Sequence, residues 1–329
     1  MINKYDVITF GSLTQDIMFY TDDAVLIKNP KDLLRQELIA FEYGAKIRSE
    51  QVSFAFGGGG SNTAVSFSMM GLKVAVVGRT GQDRFGDEYF RNFTNHKVDT
   101  SLIERDSNKG SGFSFIINYG DFNEHVIFSY RGANNNFDAT NSKFKIRNSK
   151  WYYVAALSQN NLSKNLDYIF KIAEAKKIKI AWNPGVSELK RGYSWLKKYL
   201  KNTHTFIVNK DEAIEICASA KVKTTSINKL LKTLYKYGPE IVAISHGHLG
   251  AYLYDGEKVY YHKALKVKSV NTTGAGDAFA SSIVAGLIIF KGDLEKSLKL
   301  AIIRSNFVIK KIGAQVGLLN KKDSLKLLK

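Results

Sequence analysis

The sequence predicts an α/β protein, with a doubly wound, mostly parallel sheet that has helices on both faces and a small inserted β-sheet that forms a lid. From residue 151 onward, short apolar runs alternate with helix-like segments, which is the rhythm of a helix-covered parallel sheet. Residues 50–56 and 112–130 instead alternate polar and apolar side chains, as half-exposed strands do. The 329 residues, 44% of them apolar, suffice for a single domain, 1–329.

The chain opens with a strand-like apolar run at residues 7–10 that ends in Gly11 and Ser12. Asp16 follows shortly after. Ligands of open α/β sheets bind beyond the carboxyl ends of the strands. Asp16 is therefore expected in a loop, either as a substrate-binding carboxylate or as a capping acid.

Two glycine-rich loops come next. Residues 57–60 are four consecutive glycines ahead of a helix-like segment, and glycines let a ligand approach the backbone closely. No Gly-Lys-Ser/Thr follows them, which excludes a phosphate-binding P-loop. The loop at 78–86 separates a buried strand from a helix, so it also marks a carboxyl strand end.

The period-two region predicts a hairpin over residues 113–130 with its turn at 119–123. Together with strands near 24–28 and 50–56, it is expected to form the lid, built from inserted segments of about 13–56 and 98–135. A sheet over a crevice can exclude water. Its unpaired edges predict pairing with the lid of a second copy.

In the second half of the chain, each predicted strand ends in polar or turn residues, at 183–185, 209–212 and 245–250. His246 and His248 stand in the last of these turns, but a metal site needs further ligands at suitable spacing. We interpret both histidines as structural. Cys217 lies inside a helix-like segment and is interpreted as a core residue.

The stretch from Asn271 to Phe279 is small, polar and glycine-rich, and it leads into an apolar segment that predicts a buried helix. Such a turn directs backbone N–H groups and the positive end of the helix dipole at one spot, which is an anion site. Asp277 falls in the first helical turn. It is either an ordinary helix-start acid or a base that deprotonates a hydroxyl during phosphoryl transfer.

Composition limits the partners. The net charge is +18, but the lysines are spread over many segments without a basic arm, so we interpret them as solvated surface and expect no nucleic-acid partner. One cysteine excludes an internal disulfide and suits a reducing compartment. No apolar run reaches 18 residues and no signal-peptide layout is present. We therefore expect a cytoplasmic protein that has no membrane span.

The loops, taken in order, resemble those of the ribokinase (PfkB) family of carbohydrate and nucleoside kinases over nearly the whole chain. Gly57–Asn62 resembles the family's N-terminal Gly-Gly-x-Gly-x-Asn signature. Thr273–Asp277 resembles its C-terminal Thr-Gly-Ala-Gly-Asp core. The loops at 78–86, 183–185, 209–212 and 245–250 stand between them in the family's order.

The resemblance implies an ATP-dependent sugar kinase with Mg²⁺ as cofactor. Asp277 would be the general base, and the backbone of Gly274, Ala275 and Gly276 would form the anion hole. The other implied residues fall into two groups. Sugar binding is implied for Asp16, Gly58, Gly59 and Asn62, and ATP binding for Ser245, Gly247, Gly250 and Asn306. Asn209 and Glu212 would order the Mg²⁺–phosphate region through water rather than ligate the metal.

Two departures from the family pattern bear on ligands. Asn271 replaces an Asp that in many members helps to hold K⁺, which argues against K⁺ activation, although Gly313-Ala314-Gln315 resembles the loop that supplies carbonyls to that site. Gly59 stands where ribokinase-like members often have Lys, which disfavours sugar phosphates. Arg131 is left to receive a carboxylate or phosphate.

Ribose or fructose is thus the expected substrate. The alternatives are a nucleoside, with Phe113, Phe115 or Phe128 stacking on the base, and an acidic sugar such as 2-keto-3-deoxygluconate. A non-catalytic sugar-binding protein would usually have lost Asp277 or the anion hole, and both are intact. An oxidoreductase would need Gly-x-Gly-x-x-Gly after the first strand, where Gly11-Ser12-Leu13-Thr14 stands instead.

Overall fold

The structure, a computed structural model, describes residues 4–30, 37–120, 124–141, 149–158 and 160–328. Its strands, in chain order, are β1 Tyr5–Phe10, β2 Thr14–Thr21, β3 Val25–Lys28, β4 Glu37–Ala40, β5 Gln51–Gly57, β6 Val74–Gly81, β7 Ile103–Asp106, β8 Gly112–Tyr119, β9 Glu124–Tyr130, β10 Ser149–Val154, β11 Lys179–Trp182, β12 Thr205–Asn209, β13 Ile241–Ser245, β14 Ala251–Tyr254 and β15 Val259–His262. The helices are α1 Gly59–Met69, α2 Arg84–Asn95, α3 Leu162–Lys176, α4 Val186–Leu189, α5 Tyr193–Leu200, α6 Lys210–Ser219, α7 Ile227–Lys236, α8 Ala275–Ile289, α9 Leu294–Val308 and α10 Lys321–Leu328.

Nine strands form the main sheet, in the order β15-β14-β13-β12-β11-β10-β1-β6-β7. The seven from β13 to β7 are parallel, and β14 and β15 extend the sheet as antiparallel strands. Strand β1 is third from the β7 edge, and its Val7 pairs with Val74 of β6 on one side and with Trp151 of β10 on the other. All carboxyl ends of the parallel strands therefore lie along one edge of the sheet.

Helices cover both faces of this sheet, and each face has its own apolar cluster. One cluster joins buried side chains of α3, α5, α6 and α7 to the sheet, and the other joins those of α1, α2, α8 and α9. This confirms the predicted doubly wound architecture. Within the described ranges, every helix is too short or too polar to span a membrane. We call the main sheet with its helices the body.

A second sheet of four strands, in the order β5-β2-β8-β9, stands beside the body, and we call it the lid. Strands β2 and β8 are parallel, and the outer pairs are antiparallel. The predicted hairpin is present as β8 and β9, but turn residues 121–123 lie outside the described residues.

The strand content of the inserted segments differs from expectation in two places. The stretch near 24–28 does not join the lid. It pairs as β3 with β4 in a separate two-stranded sheet. Residues 103–106, inside the predicted lid segment 98–135, form β7 at the edge of the main sheet. Both stretches are too short for periodicity to reveal their partner strands.

Candidate active site

Asp16 lies on lid strand β2. This strand begins only four residues after the end of β1, which lies at the carboxyl edge of the main sheet. Its neighbours across the lid are Ala55 and Ser114, and its side chain is 6% exposed. The expectation of a loop position was wrong, because the chain reverses within Gly11–Leu13 and immediately starts a new strand. Asp16 is therefore presented to the crevice by the lid.

Asp277 approaches the same crevice from the body. It lies in the first turn of α8, as predicted, and its Oδ2 accepts a hydrogen bond of 2.8 Å from Asn62 Nδ2 on α1. The side chain remains partly accessible, but its carboxylate is surrounded by protein, and this burial raises its pKa while the Asn62 bond lowers it. A carboxylate with a raised pKa is a better proton acceptor.

The two carboxylates influence each other. Burial raises the pKa of Asp16 to about 7, and the negative charge of Asp277 contributes to the rise, whereas a hydrogen bond from Ser114 opposes it. Two acids close enough for their charges to interact define a place where a hydroxyl group can be held and deprotonated.

Glycines 57–59 bring the backbone close to this place. Gly58 has φ +86°, a conformation that favours glycine, and a Cβ on Gly57 would collide with the Asp16 carboxylate. A Cβ on Gly59 would lie 2.8 Å from Ala155 Cβ and 3.6 Å from Asp277 Oδ1. The glycine loop thus contacts both acids without side chains of its own.

The turn before α8 has the geometry of an anion hole, with one qualification. Gly274 adopts φ +80°, and Gly276 faces open space. The Ala275 N–H, however, donates to the Thr272 carbonyl over 3.2 Å. Gly276 and Asp277 therefore carry first-turn N–H groups that the helix itself leaves without acceptors.

A cavity of about 410 Å³ adjoins this turn. Its lining brings together residues that are far apart in sequence and were predicted to bind nucleotide or form the anion hole: Ser245, Gly247, Gly250, Ala275, Gly276 and Asn306. His248 also lines it, although the sequence suggested only a structural role. Apolar walls from Phe279, Ile302 and Leu265 suit a flat aromatic base.

Asn209 and Glu212 do not line this cavity. They form a capping box at the start of α6, in which Asn209 Oδ1 accepts from the Glu212 N–H and Glu212 Oε2 accepts from the Asn209 N–H. Within the described residues, no group of three or more His, Cys, Asp or Glu side chains is placed to hold a metal. The capping box uses Glu212 Oε2 and Asn209 Oδ1, and Glu212 Oε1, which lies outside these two bonds, could accept from the water shell of a hydrated Mg²⁺.

Arg131 is exposed next to the buried carboxylate of Glu188, which sequence reasoning missed. The Glu188 carboxylate accepts hydrogen bonds from the Leu157 and Gly185 N–H groups at 2.8 and 3.1 Å. Burial raises its pKa to about 7, although these hydrogen bonds and the positive charge of Arg131 lower it. The Gly-x-x-Glu spacing of a capping box was the available signal. Glu188 thus connects the loops that follow β10 and β11, and the positive charge of Arg131 favours its ionised form.

The lid aromatics cannot serve as predicted. Phe115 pairs laterally with Ile17 and Phe128, so all three share one face, and Asp16 with Ser114 occupies the opposite face. Phe113 also lies on the outer face because it is two residues from Phe115. None of these rings can stack on a base held beside Asp16 in the same subunit.

Comparison with known proteins agrees with this arrangement. The profile described as pfkB family carbohydrate kinase matches residues 32–321. The chain is 25% identical over 324 residues to an ATP-dependent 6-phosphofructokinase of Thermoanaerobacterium thermosaccharolyticum, covering 96% of this chain and 91% of the relative. It is 28% identical over 294 residues to mouse ribokinase, covering 85% and 86%.

Solved structures share the fold. Arabidopsis thaliana ribokinase complexed with ribose and ATP superposes with a TM-score of 0.80 at 19% identity, covering 100% of this chain and 99% of that one. A nucleoside kinase of Methanocaldococcus jannaschii gives 0.77 at 19% identity and covers 99% of both chains. With the family profile matched over most of its length, the chain belongs to the PfkB family of carbohydrate kinases, phosphotransferases that act on hydroxyl groups.

Proposed function

We propose that this kinase phosphorylates a hydroxyl of a free ribose- or fructose-type sugar, with ATP as donor and Mg²⁺ as the metal. The proposal is supported by the electrostatic interaction of Asp16 on the lid with Asp277 in the first turn of α8, and by the contact of one glycine loop with both acids. A sugar hydroxyl between them can lose its proton to Asp277. Asp16 accepts hydrogen bonds from neighbouring hydroxyls, and Asn62 and the glycine loop complete the sugar site.

The phosphoryl group is expected at the first turn of α8. Gly276 and the helix dipole would stabilise the charge on the transferring group, with Gly274 shaping the turn. The nucleotide would occupy the adjoining cavity, where Ser245, Gly250 and Asn306 are available to it. Mg²⁺ would neutralise phosphate charge, and Asn209 and Glu212 would orient its waters.

The structure offers little support for K⁺. Asn271 is neutral, and its Oδ1 already accepts from the Thr273 N–H at 2.9 Å. It therefore brings no net charge to a monovalent cation, and we leave K⁺ out of the proposed reaction.

A panel of acceptors tests the sugar assignment: ribose, fructose, fructose 6-phosphate, adenosine, inosine and 2-keto-3-deoxygluconate, each in a coupled ADP-release assay. We expect saturation by ribose or fructose below millimolar concentration. Because Gly59 carries no cation, the 6-phosphate should be the poorer acceptor. Saturation by adenosine, with no free sugar accepted, would replace this proposal with a nucleoside kinase, and the absence of any turnover would favour a sugar-binding protein.

Asp277→Asn tests the base. Loss of a general base costs about 10²–10⁴-fold in rate, so kcat should fall by about 10³-fold while sugar binding persists. Asp323→Asn is a matched control because Asp323 also lies in the first turn of a helix, α10, on the surface. Near-normal turnover of Asp277→Asn in the steady-state assay would show that another group takes the proton.

We further propose that two copies pair through the outer face of the lid. Phe54 and Phe128 lie there in one lateral row and are 66% and 57% exposed, and Val52 in the next row is 42% exposed. An apolar sheet face of this kind usually has a partner. Sedimentation should give a particle near twice 36.9 kDa, and Phe54→Ser with Phe128→Ser should give the monomer. A wild-type monomer at micromolar concentration would refute the pairing.

A further inference from the structure

Gln315 lies behind the crevice, in the loop between α9 and α10, and its side-chain amide is hydrogen-bonded at both ends. Its Oε1 accepts from Asn92 Nδ2 of α2 at 3.0 Å. Its Nε2 donates to Ser61 Oγ at 2.9 Å and to Asn62 Oδ1 at 3.1 Å, both on α1. Asn62 and Ser61 are almost fully buried, so water is not a ready substitute for these partners.

The bonds run in one direction, from Asn92 through Gln315 and Asn62 to the Asp277 carboxylate. Only the amino end of Asn62 can donate to a carboxylate, because its carbonyl end would oppose oxygen to oxygen. The donation from Gln315 Nε2 occupies that carbonyl and holds Asn62 the right way round. Asn92 orients Gln315 in the same manner.

This orientation determines which Asp277 oxygen is free. Asn62 occupies Oδ2, whereas Oδ1 points toward the glycine loop, 3.6 Å from the position of a Cβ on Gly59. Oδ1 is therefore the oxygen left to accept a proton from a sugar hydroxyl in the proposed site. Ala314, next to Gln315, packs directly against Gly274 at the start of α8, so one short loop contacts both the helix start and Asn62.

We propose that Gln315 is a positioning residue that fixes the Asn62 amide and thereby aims Asp277 Oδ1 at the substrate hydroxyl. The inference rests on the proposed role of Asp277 as the base. Gln315 itself contacts neither sugar nor nucleotide in this assignment. Its effect on turnover is transmitted through two hydrogen bonds.

Gln315→Glu is the sharpest test, since it keeps size and the acceptor for Asn92 but replaces the donor toward Asn62 with a second acceptor. Asn62 should then turn its carbonyl toward Asp277. We expect kcat to fall about 10–100-fold, as for other residues that orient a reactive group, with the KM for ATP unchanged. Gln51→Glu, on the exposed lid strand β5, is the matched control.

The pH profile separates positioning from simple damage. The Asn62 bond lowers the pKa of Asp277, so loss of this bond should move the acidic limb of kcat to higher pH. A purely structural role would lower the melting temperature without moving this limb. An unchanged kcat and limb in a folded Gln315→Glu protein would overturn the proposal.

Two further variants keep the outcome decisive. Asn92→Ala should also lower kcat, by a smaller factor than Gln315→Glu. It replaces Gln315→Glu as the test if that variant does not fold. Combining Gln315→Glu with Asp277→Asn should lower the residual rate no further, because both act through one carboxylate. Full additivity would overturn the inference alone, whereas an active Asp277→Asn would overturn the proposed base.

Discussion

Asp277 and Asp16 face one crevice from parts of the molecule that are held together very differently. The body that carries Asp277 has two large apolar clusters and the fully buried Arg304, whose guanidinium donates to Ser66, Ser282 and the Leu319 carbonyl. The lid that carries Asp16 has a small cluster of Met18, Tyr20, Ala55 and Ile116, with Ile312 packed against it.

The lid is tied to the body at its root by Tyr89 of α2. This buried phenol donates toward the Thr14 and Gly57 carbonyls, at 2.5 and 2.9 Å, where β2 begins and β5 ends. Beyond that root, the lid has an open apolar face and little core. We infer from this contrast that the proposed base, Asp277, is held by a rigid body, whereas the proposed substrate-binding acid, Asp16, belongs to an element that can move.

The largest expected effect is on the body. Arg304→Ala leaves the buried acceptors of Ser66, Ser282 and Leu319 without their donor and opens a cavity, which should lower the free energy of unfolding by about 3 kcal/mol. Burial disfavours the charged guanidinium and lowers the pKa of Arg304 to about 9. Removing this buried charge therefore offsets part of the lost stability. Urea unfolding measures this. Arg91→Ala, which removes an exposed ion pair, should change stability by less than about 1 kcal/mol.

If Arg304→Ala unfolded at the same urea concentration as the wild type, the body would not depend on this buried cation. The picture of a rigid platform beneath Asp277 would then rest on the apolar clusters alone.

Asp16→Asn probes the lid's contribution. Hydrogen bonds from hydroxyls to a carboxylate contribute about 1.5–3 kcal/mol, so the sugar KM should rise about 100-fold with a smaller change in kcat. Asp277→Asn should instead lower kcat strongly with little change in the sugar KM. Steady-state kinetics with varied sugar decides this, with Asp22→Asn, an exposed acid just past β2, as control. A loss confined to kcat would place Asp16 in the chemical step instead.

The smallest effect is the pH dependence of Asp16. Its pKa is about 7, so below pH 7 it becomes protonated and accepts hydrogen bonds less well. The sugar KM should rise by up to about tenfold in total as pH falls from 7 to 5, because a protonated carboxyl still keeps one good acceptor oxygen. The rise should be absent in Asp16→Asn. An identical rise in both proteins would assign the titration to another group.

Linkage predicts the opposite trend for the free protein. The folded pKa of Asp16 exceeds the ordinary value of 3.8, so the folded state binds the extra proton between about pH 4 and 7. The contribution of Asp16 to stability therefore falls as pH rises through this window. Melting curves of the wild type and Asp16→Asn should converge toward the lower end of the window.

Several features were predictable because their cause is local. The strand–helix alternation, the glycine loops and the acid in the first turn of α8 follow from composition and spacing. The family resemblance then assembled Ser245, Gly247, Gly250 and Asn306, which the structure gathers around one cavity. For Asp16, the predicted location near the carboxyl end of β1 was correct but the loop conformation was wrong, since the residues of β2 show no clear strand pattern in the sequence.

The motifs at Gly57–Asn62 and Asn271–Phe279 could be recognised before folding was considered, because a tight turn and a helix start depend on adjacent residues. In contrast, the folded protein was needed to show that Phe115 and Phe128 face away from Asp16, since the face on which a strand residue lies depends on the register of the neighbouring strands. The same holds for Gln315 and Asn62, which lie 253 positions apart. A hydrogen bond between such distant residues forms only after the body has packed, so no local sequence pattern can predict it.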